Sequence, residues 1–207
     1  MWLIKIGEKE LRRAVRFSYD VVRNGQNGLN YHNREHQRDE RKRWADSYRG
    51  TLVEMAVCLS LGISLDNLDW ATGKGASGAT HDAGFDLILG GDKISINGIA
   101  QNCKYLMIPI KKFEAHQKVG VKYLILGTTE WSGKDGFNDF SEEQVLKKNG
   151  VNIDGWITLD EFFQKKKNYP KGSFAKGNFI GFSEDNYGVH KSDLYSWNEF
   201  KERNETK

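Results

Sequence analysis

The stretch that decides the fold spans residues 84–97 and has the sequence GFDLILGGDKISIN. Two largely apolar runs flank Gly90-Gly91-Asp92, and this pattern predicts a β-hairpin. A two-residue turn at Gly90-Gly91 would set Asp86 opposite Ser95 on the facing strand. The hairpin therefore carries an acid inside an apolar strand, across from a polar face.

A buried helix is predicted before the hairpin, over residues 50–62, where almost every side chain is apolar and Gly62 ends the helix. Glu54 is the exception, and burying a carboxylate is costly unless it is paired, hydrogen-bonded or bound to a cation. Two plainer interpretations stay open. Thr51-x-x-Glu54 fits a capping box that satisfies only the helix start, and Asp86 fits a solvent-facing acid of the hairpin.

The elements around this pair indicate an α/β fold. Residues 105–110 predict a strand limited by Pro109, residues 111–119 a helix, and residues 121–127 a strand covered on both faces. This order predicts a mixed β-sheet flanked by helices. Further helices are expected over residues 11–22 and, as an exposed helix or arm, over residues 33–48.

The length of 207 residues suits a single domain over residues 1–207. We expect its core over about residues 45–130, with a helical arm over residues 1–44. A C-terminal elaboration over residues 150–207 contains a capping box at Thr158, a strand over residues 178–182 and a helix over residues 192–203.

An acid on a helix and an acid on a neighbouring hairpin can together hold a hard divalent cation. Magnesium is typically bound by one or two carboxylates, with water and substrate phosphate completing its coordination shell. Glu54 and Asp86 are therefore the candidate metal ligands, and Mg²⁺ or Mn²⁺ the candidate cofactor.

This arrangement resembles the restriction-endonuclease-like superfamily, the PD-(D/E)XK nucleases, over roughly residues 45–130. The matching segments are Arg49-Gly50-x-x-x-Glu54-x-Ala56, Gly84-Phe85-Asp86-Leu87-Ile88-Leu89 and Lys93-Ile94-Ser95-Ile96-Asn97. The resemblance implies a restriction-endonuclease-like fold and a metal-dependent endodeoxyribonuclease that hydrolyses phosphodiester bonds of DNA. A homodimer that cuts both strands is one assembly that the resemblance allows.

The chain departs from the family at the acid-x-Lys motif, where Ser95 and Asn97 stand instead of an acid and a lysine. Three explanations stay open. The lysine role has moved to Lys93 or Lys104, or the chain is an inactivated variant of an active parent, natural or engineered. Alternatively, a catalytically inactive descendant keeps the fold to bind nucleic acid or a protein partner.

The candidate catalytic residues are thus Glu54, Asp86, Ser95, Asn97, Lys93 and Lys104. Two basic clusters with interleaved aromatic residues suit a phosphate backbone, although solvated surfaces have the same composition. The candidate nucleic-acid-binding residues are Arg38, Arg41, Lys42, Arg43, Arg49, Lys165, Lys166, Lys167 and Lys171.

Other classes of protein are disfavoured by composition. No apolar run approaches the length of a membrane span, and the first residues do not have the pattern of a secretory signal. The two cysteines, Cys58 and Cys103, form no close pair that would indicate a disulfide framework or a zinc site. We therefore expect a cytoplasmic protein, and we expect His116 to be a surface residue of its helix.

Overall fold

The computed structural model describes residues 2–28, 40–68, 85–100, 103–130, 146–173, 182 and 184–205. Its α-helices are α1 (Glu8–Gly28), α2 (Glu40–Ser60), α3 (Ile110–Val119), α4 (Leu159–Lys165) and α5 (Trp197–Glu205). Its strands are β1 (Trp2–Lys5), β2 (Leu87–Leu89), β3 (Asp92–Ala100), β4 (Tyr105–Pro109), β5 (Val121–Thr129), β6 (Gly150–Thr158), β7 (Lys167–Tyr169) and β8 (Asn186–His190).

The predicted hairpin is confirmed, and β2 and β3 are its strands. They are antiparallel, with Leu87 opposite Ile94 and Leu89 opposite Asp92. Gly90 and Gly91 form the two-residue turn with φ values of 57° and 86°. Both glycines thus adopt the left-handed conformation that this type of turn requires.

The hairpin forms one edge of a five-stranded mixed sheet with the order β1-β6-β5-β3-β2. β3 and β5 are parallel, and the chain crosses between them through β4 and α3. Helices α1, α2 and α5 pack on one face of the sheet, while α3 and α4 contribute to a second apolar cluster on the other. The predicted mixed sheet flanked by helices is confirmed.

Local predictions around the crossover are also confirmed. Pro109 ends β4 and precedes the first residue of α3, and Gly120 ends that helix with φ 76°. Nearly every side chain of β5 is buried, as expected of a strand with apolar layers on both faces. β4 itself lies at the edge of a second, three-stranded sheet with the order β4-β8-β7.

The predicted start of the buried helix at Gly50 is wrong, because α2 runs without interruption from Glu40 to Ser60. The capping-box interpretation of Glu54 is wrong for the same reason. The hydroxyl of Thr51 donates to the carbonyl oxygen of Ser47 at 2.9 Å, one turn back within the helix. Trp44 and Tyr48 are buried in the core, so this part of the expected exposed arm is also wrong. Residues 33–39 lie outside the described residues.

Both ends of the chain contribute to the main sheet. β1 pairs antiparallel with β6, so a segment expected in the N-terminal arm and one expected in the C-terminal elaboration are neighbours. The capping box at Thr158 is confirmed, since the Thr158 hydroxyl accepts from the Glu161 amide and the Glu161 carboxylate accepts from the Thr158 amide. The final helix begins at Trp197, after a 3-10 turn at Lys191–Asp193. Residues 178–181 of another predicted strand lie outside the described residues.

Helix α2 and strand β3 approach each other closely at Gly98. A Cβ atom at this position would lie 2.6 Å from the carbonyl oxygen of Arg49 and 3.0 Å from the Cα of Gly50. On β5, a Cβ at Gly127 would lie 2.5 Å from a methyl carbon of Val53. The two glycines let α2 lie directly against the sheet, with helix backbone contacting strand backbone at Gly98.

We predict that Gly98→Ala lowers the free energy of unfolding by about 1–3 kcal/mol, because backbone atoms cannot move aside for the new methyl group. Gly50→Ala is the matched control. Its Cβ would meet only Glu54 Oε1 within 4 Å, at 3.8 Å, and alanine is the better helix former by about 1 kcal/mol. Urea unfolding followed by tryptophan fluorescence measures both variants, and equal midpoints for Gly98→Ala and the parent would contradict the close approach.

Candidate active site

Asp86 ends the hairpin ladder with its side chain. Its backbone amide donates to the carbonyl oxygen of Ile94 at 2.8 Å. Its carboxylate oxygen Oδ2 accepts a hydrogen bond from the backbone amide of Ile96 at 2.6 Å. A half-buried carboxylate, just before the first residue of β2, thus satisfies a β3 amide beyond the end of the paired residues. The alternative of a merely solvent-facing acid is therefore wrong.

Glu54 lies on α2 in a half-buried position. Its Oε1 is 3.8 Å from the position that a Cβ of Gly50 would occupy, so the carboxylate turns back toward the preceding helical turn. On the other side, Cys58 is one turn further along. Burial, with a smaller contribution from the Glu54 charge, raises the pKa of the Cys58 thiol to about 12. This thiol therefore stays protonated at neutral pH and is no nucleophile.

The hairpin edge and helix α2, which carry the two acids, both contact residues 96–98 of β3. Asp86 binds the amide of Ile96 from the hairpin edge. Gly98 contacts the turn of α2 at Arg49 and Gly50, against which the Glu54 carboxylate lies. Both candidate metal ligands are therefore carried to the same short stretch of β3, one from the edge and one from the helix above the sheet.

Ser95 and Asn97 lie on β3, on the opposite face of the strand from the buried Ile94 and Ile96. Ser95 is 1% exposed, and its hydroxyl has no hydrogen-bond partner among the residues that the structure describes. The side-chain oxygen of Asn97 accepts a hydrogen bond from Lys112 Nζ at 3.3 Å. The Asn97 amide nitrogen is buried and also has no partner in the described part of the chain. This face of β3 thus presents two neutral groups with unused hydrogen-bonding capacity.

The two lysines proposed from sequence lie in different surroundings. Lys93 Nζ donates to the carbonyl oxygen of Val119 at 2.8 Å, at the C-terminal end of α3, and lies 5.1 Å from the centroid of the Phe85 ring. Lys104 is exposed and directly precedes β4. Its carbonyl oxygen accepts from the amide of Lys191, the residue that follows β8. Lys93 thus binds the C-terminal end of α3, whereas Lys104 lies next to β4 of the second sheet.

Two residues of α3 were missed or misplaced by sequence reasoning. Lys112 was not selected, because a lysine on a helix surface carries no local signal of its contact with Asn97. The expectation that His116 is a surface residue is wrong, since it is 2% exposed. His116 follows Lys112 by four residues, so the two lie on the same side of the helix. The spacing of Phe113 and His116 was the signal available for a buried face.

The candidate nucleic-acid-binding residues divide into several groups. Arg38 and the side chains of Arg41, Lys42 and Arg43 lie outside the described residues. The mostly buried side chain of Arg49 forms an ion pair with Asp46.

The C-terminal basic residues flank the second sheet. Lys165 Nζ lies 5.0 Å from the ring centroid of Tyr195. Lys166 Nζ lies 4.2 Å from the ring centroids of both Phe163 and Tyr187. Lys165, Lys167 and Lys171 are exposed, whereas Lys166 is half-buried.

Comparison of the chain with protein-family models, curated proteins and solved structures finds no match. Within the described ranges, no helix combines the length and apolar character needed to cross a membrane. Over the same part of the chain, no group of three or more His, Cys, Asp or Glu side chains is arranged to hold a metal ion.

We predict that Asp86→Ala lowers the free energy of unfolding by about 1–3 kcal/mol, because it leaves the buried amide of Ile96 without an acceptor. Asp86→Asn keeps an oxygen in place and costs less than about 1 kcal/mol. Hydrogen exchange of the Ile96 amide, measured by NMR, should accelerate in the alanine variant and stay slow in the asparagine variant. Equal exchange in all three proteins would contradict the hydrogen bond.

Proposed function

We propose that this protein is a divalent-metal-dependent DNA endonuclease with a restriction-endonuclease-like fold. The order of α2, the β2–β3 hairpin, α3 and the parallel strand β5 supports the fold assignment, because it is the order that the family resemblance implies. The observation that supports the functional proposal is that Asp86 binds Ile96 and the turn of α2 next to Glu54 contacts Gly98, two residues further along β3.

The donor set fits a magnesium or manganese ion. Glu54 and Asp86 would hold it, since two carboxylates with several waters are a usual protein contribution to such a site. A bound metal supplies polarisation of the scissile phosphate and lowers the pKa of an attacking water. The Ile96 amide donates to one oxygen of Asp86, and this hydrogen bond orients the carboxylate.

DNA is the proposed substrate, and exposed lysines such as Lys167 and Lys171 would contact its backbone. Such contacts position the duplex without reading its sequence, and they weaken as salt rises. The free thiols of Cys58 and Cys103 are consistent with the reducing cytoplasmic location that we propose.

Cleavage of supercoiled plasmid DNA in the presence of Mg²⁺ or Mn²⁺ tests the function directly. We expect the parent protein to cleave, and Glu54→Gln and Asp86→Asn each to lose activity by about 100-fold or more, because each removes a charged metal ligand. Asp86→Asn is preferred to alanine because it keeps the acceptor for Ile96. Direct appearance of linear product would indicate a homodimer that cuts both strands, whereas relaxed circles indicate nicking.

Matched controls are available in the same elements. Asp92→Asn removes an acid of the hairpin turn that is paired with Lys122 at 2.9 Å, and Glu114→Gln removes an exposed acid of α3. Both controls should retain activity within about threefold, as surface changes outside a site usually do. Metal-dependent cleavage that survives both Glu54→Gln and Asp86→Asn would refute the proposal.

A nucleic-acid-binding protein that no longer cuts is the second candidate, and Ser95 favours it. This serine is 1% exposed and neutral at the position where the family has an acid. We expect such a protein to shift DNA in gels with a steep salt dependence and without cleavage. The double change Ser95→Asp with Asn97→Lys should then create metal-dependent cleavage. Because a buried aspartate is costly without a cation, Mn²⁺ should also raise the melting temperature of this variant more than that of the parent.

A further inference from the structure

Two lysine contacts fix how helix α3 lies along strand β3. Lys93 Nζ donates to the carbonyl oxygen of Val119, near the end of α3. Lys112 Nζ donates to the side-chain oxygen of Asn97, near the start of α3. The helix therefore runs antiparallel to the strand, and its first turn lies beside Asn97, on the face of the sheet opposite to α2.

The ammonium groups of Lys93 and Lys112 lie in different electrostatic surroundings. The Lys93 ammonium binds the C-terminal end of a helix, where a cation is stabilised by the helix dipole. Lys112 is exposed and lies in the first turn of α3, where the dipole disfavours a cation. That turn contains no acid, and Pro109 provides no side-chain cap. Positive charge thus accumulates at this end of α3, and an anion would relieve it.

Asn97 suits the role of a neutral anchor for this charge. Its amide oxygen orients the Lys112 ammonium at 3.3 Å without neutralising it. A carboxylate at the same position would pair with the lysine and weaken its attraction for a phosphate. Through Asn97, strand β3 thus binds the ammonium group of Lys112, which belongs to α3. Asn97 lies two residues after the buried Ser95 on the strand.

We propose that Lys112 supplies from α3 the cation that the acid-x-Lys motif lacks at Asn97. In this role Lys112 contacts the scissile phosphate or the attacking water, and Asn97 is the positioning residue that directs it. The inference rests on the proposed nuclease function, and it replaces Lys93 and Lys104 as carriers of the lysine role.

The plasmid assay in Mg²⁺ separates this role from general surface charge. Lys112→Ala should lower the cleavage rate by about 100-fold, as loss of a charge-stabilising donor typically does. Lys111→Ala is the control, because it removes an adjacent exposed lysine from the same turn. It should change the rate by less than about threefold. Mn²⁺ affinity and the urea midpoint should be the same in both variants.

Moving the lysine to the strand provides the decisive readout. The double variant Lys112→Ala with Asn97→Lys places an ammonium at the family position, next to the site that Lys112 occupies. Its cleavage rate should be at least about tenfold higher than that of Lys112→Ala, which a purely structural role of Lys112 would not allow. Parent activity with equal rates for Lys112→Ala and Lys111→Ala would overturn this inference alone. A parent protein without metal-dependent cleavage would overturn it together with the proposed function.

Discussion

The close approach of α2 to β3 at Gly98 is the constraint on which the rest of the structure depends. Only a residue without a side chain admits the carbonyl of Arg49 and the Cα of Gly50 at this distance. Gly127 accommodates Val53 on the adjacent strand in the same way. Because α2 contacts the sheet at both Gly98 and Gly127, its apolar face is buried and the turn next to Glu54 lies against β3. A wider separation would open space in the core and lift the turn next to Glu54 away from β3.

The parts of the fold that local pattern predicted are those that local chemistry determines. The β2–β3 turn needs two residues with positive φ and has Gly90-Gly91, and α3 ends where Gly120 adopts a left-handed conformation. The predicted helix start at Gly50 was wrong because glycine is unfavourable inside a helix and often marks its boundary. Here Gly50 lies within α2, where its Cα closely approaches Gly98. That contact joins residues far apart in sequence, as does the pairing of β1 with β6, and neither has a local signal.

The candidate site was predictable to the same extent. Glu54 and Asp86 were recognisable because each is an acid within an apolar segment, and burial of charge demands an explanation. The hydrogen bond from Ile96 to Asp86 was not, since it depends on β2 beginning one residue after Asp86. Lys112 and His116 depend on the direction in which α3 crosses the sheet. Spacing places both residues on one side of the helix, but only packing shows that this side faces β3.

In the proposed site, the neutral residues Ser95 and Asn97 change how the charged groups are held in place. In the family pattern one strand carries both an acid and a lysine, so their spacing is set by the pleat of that strand. Here the charged groups come from α2, from the hairpin edge and from α3, and β3 contributes only a backbone amide and a neutral side chain. Their relative positions are therefore set by tertiary packing, through the Gly98 contact on one face and the Lys93–Val119 contact on the other. A site built in this way loses its geometry whenever either helix shifts, so its chemistry is tied to the integrity of the core more tightly than that of a site carried by a single strand.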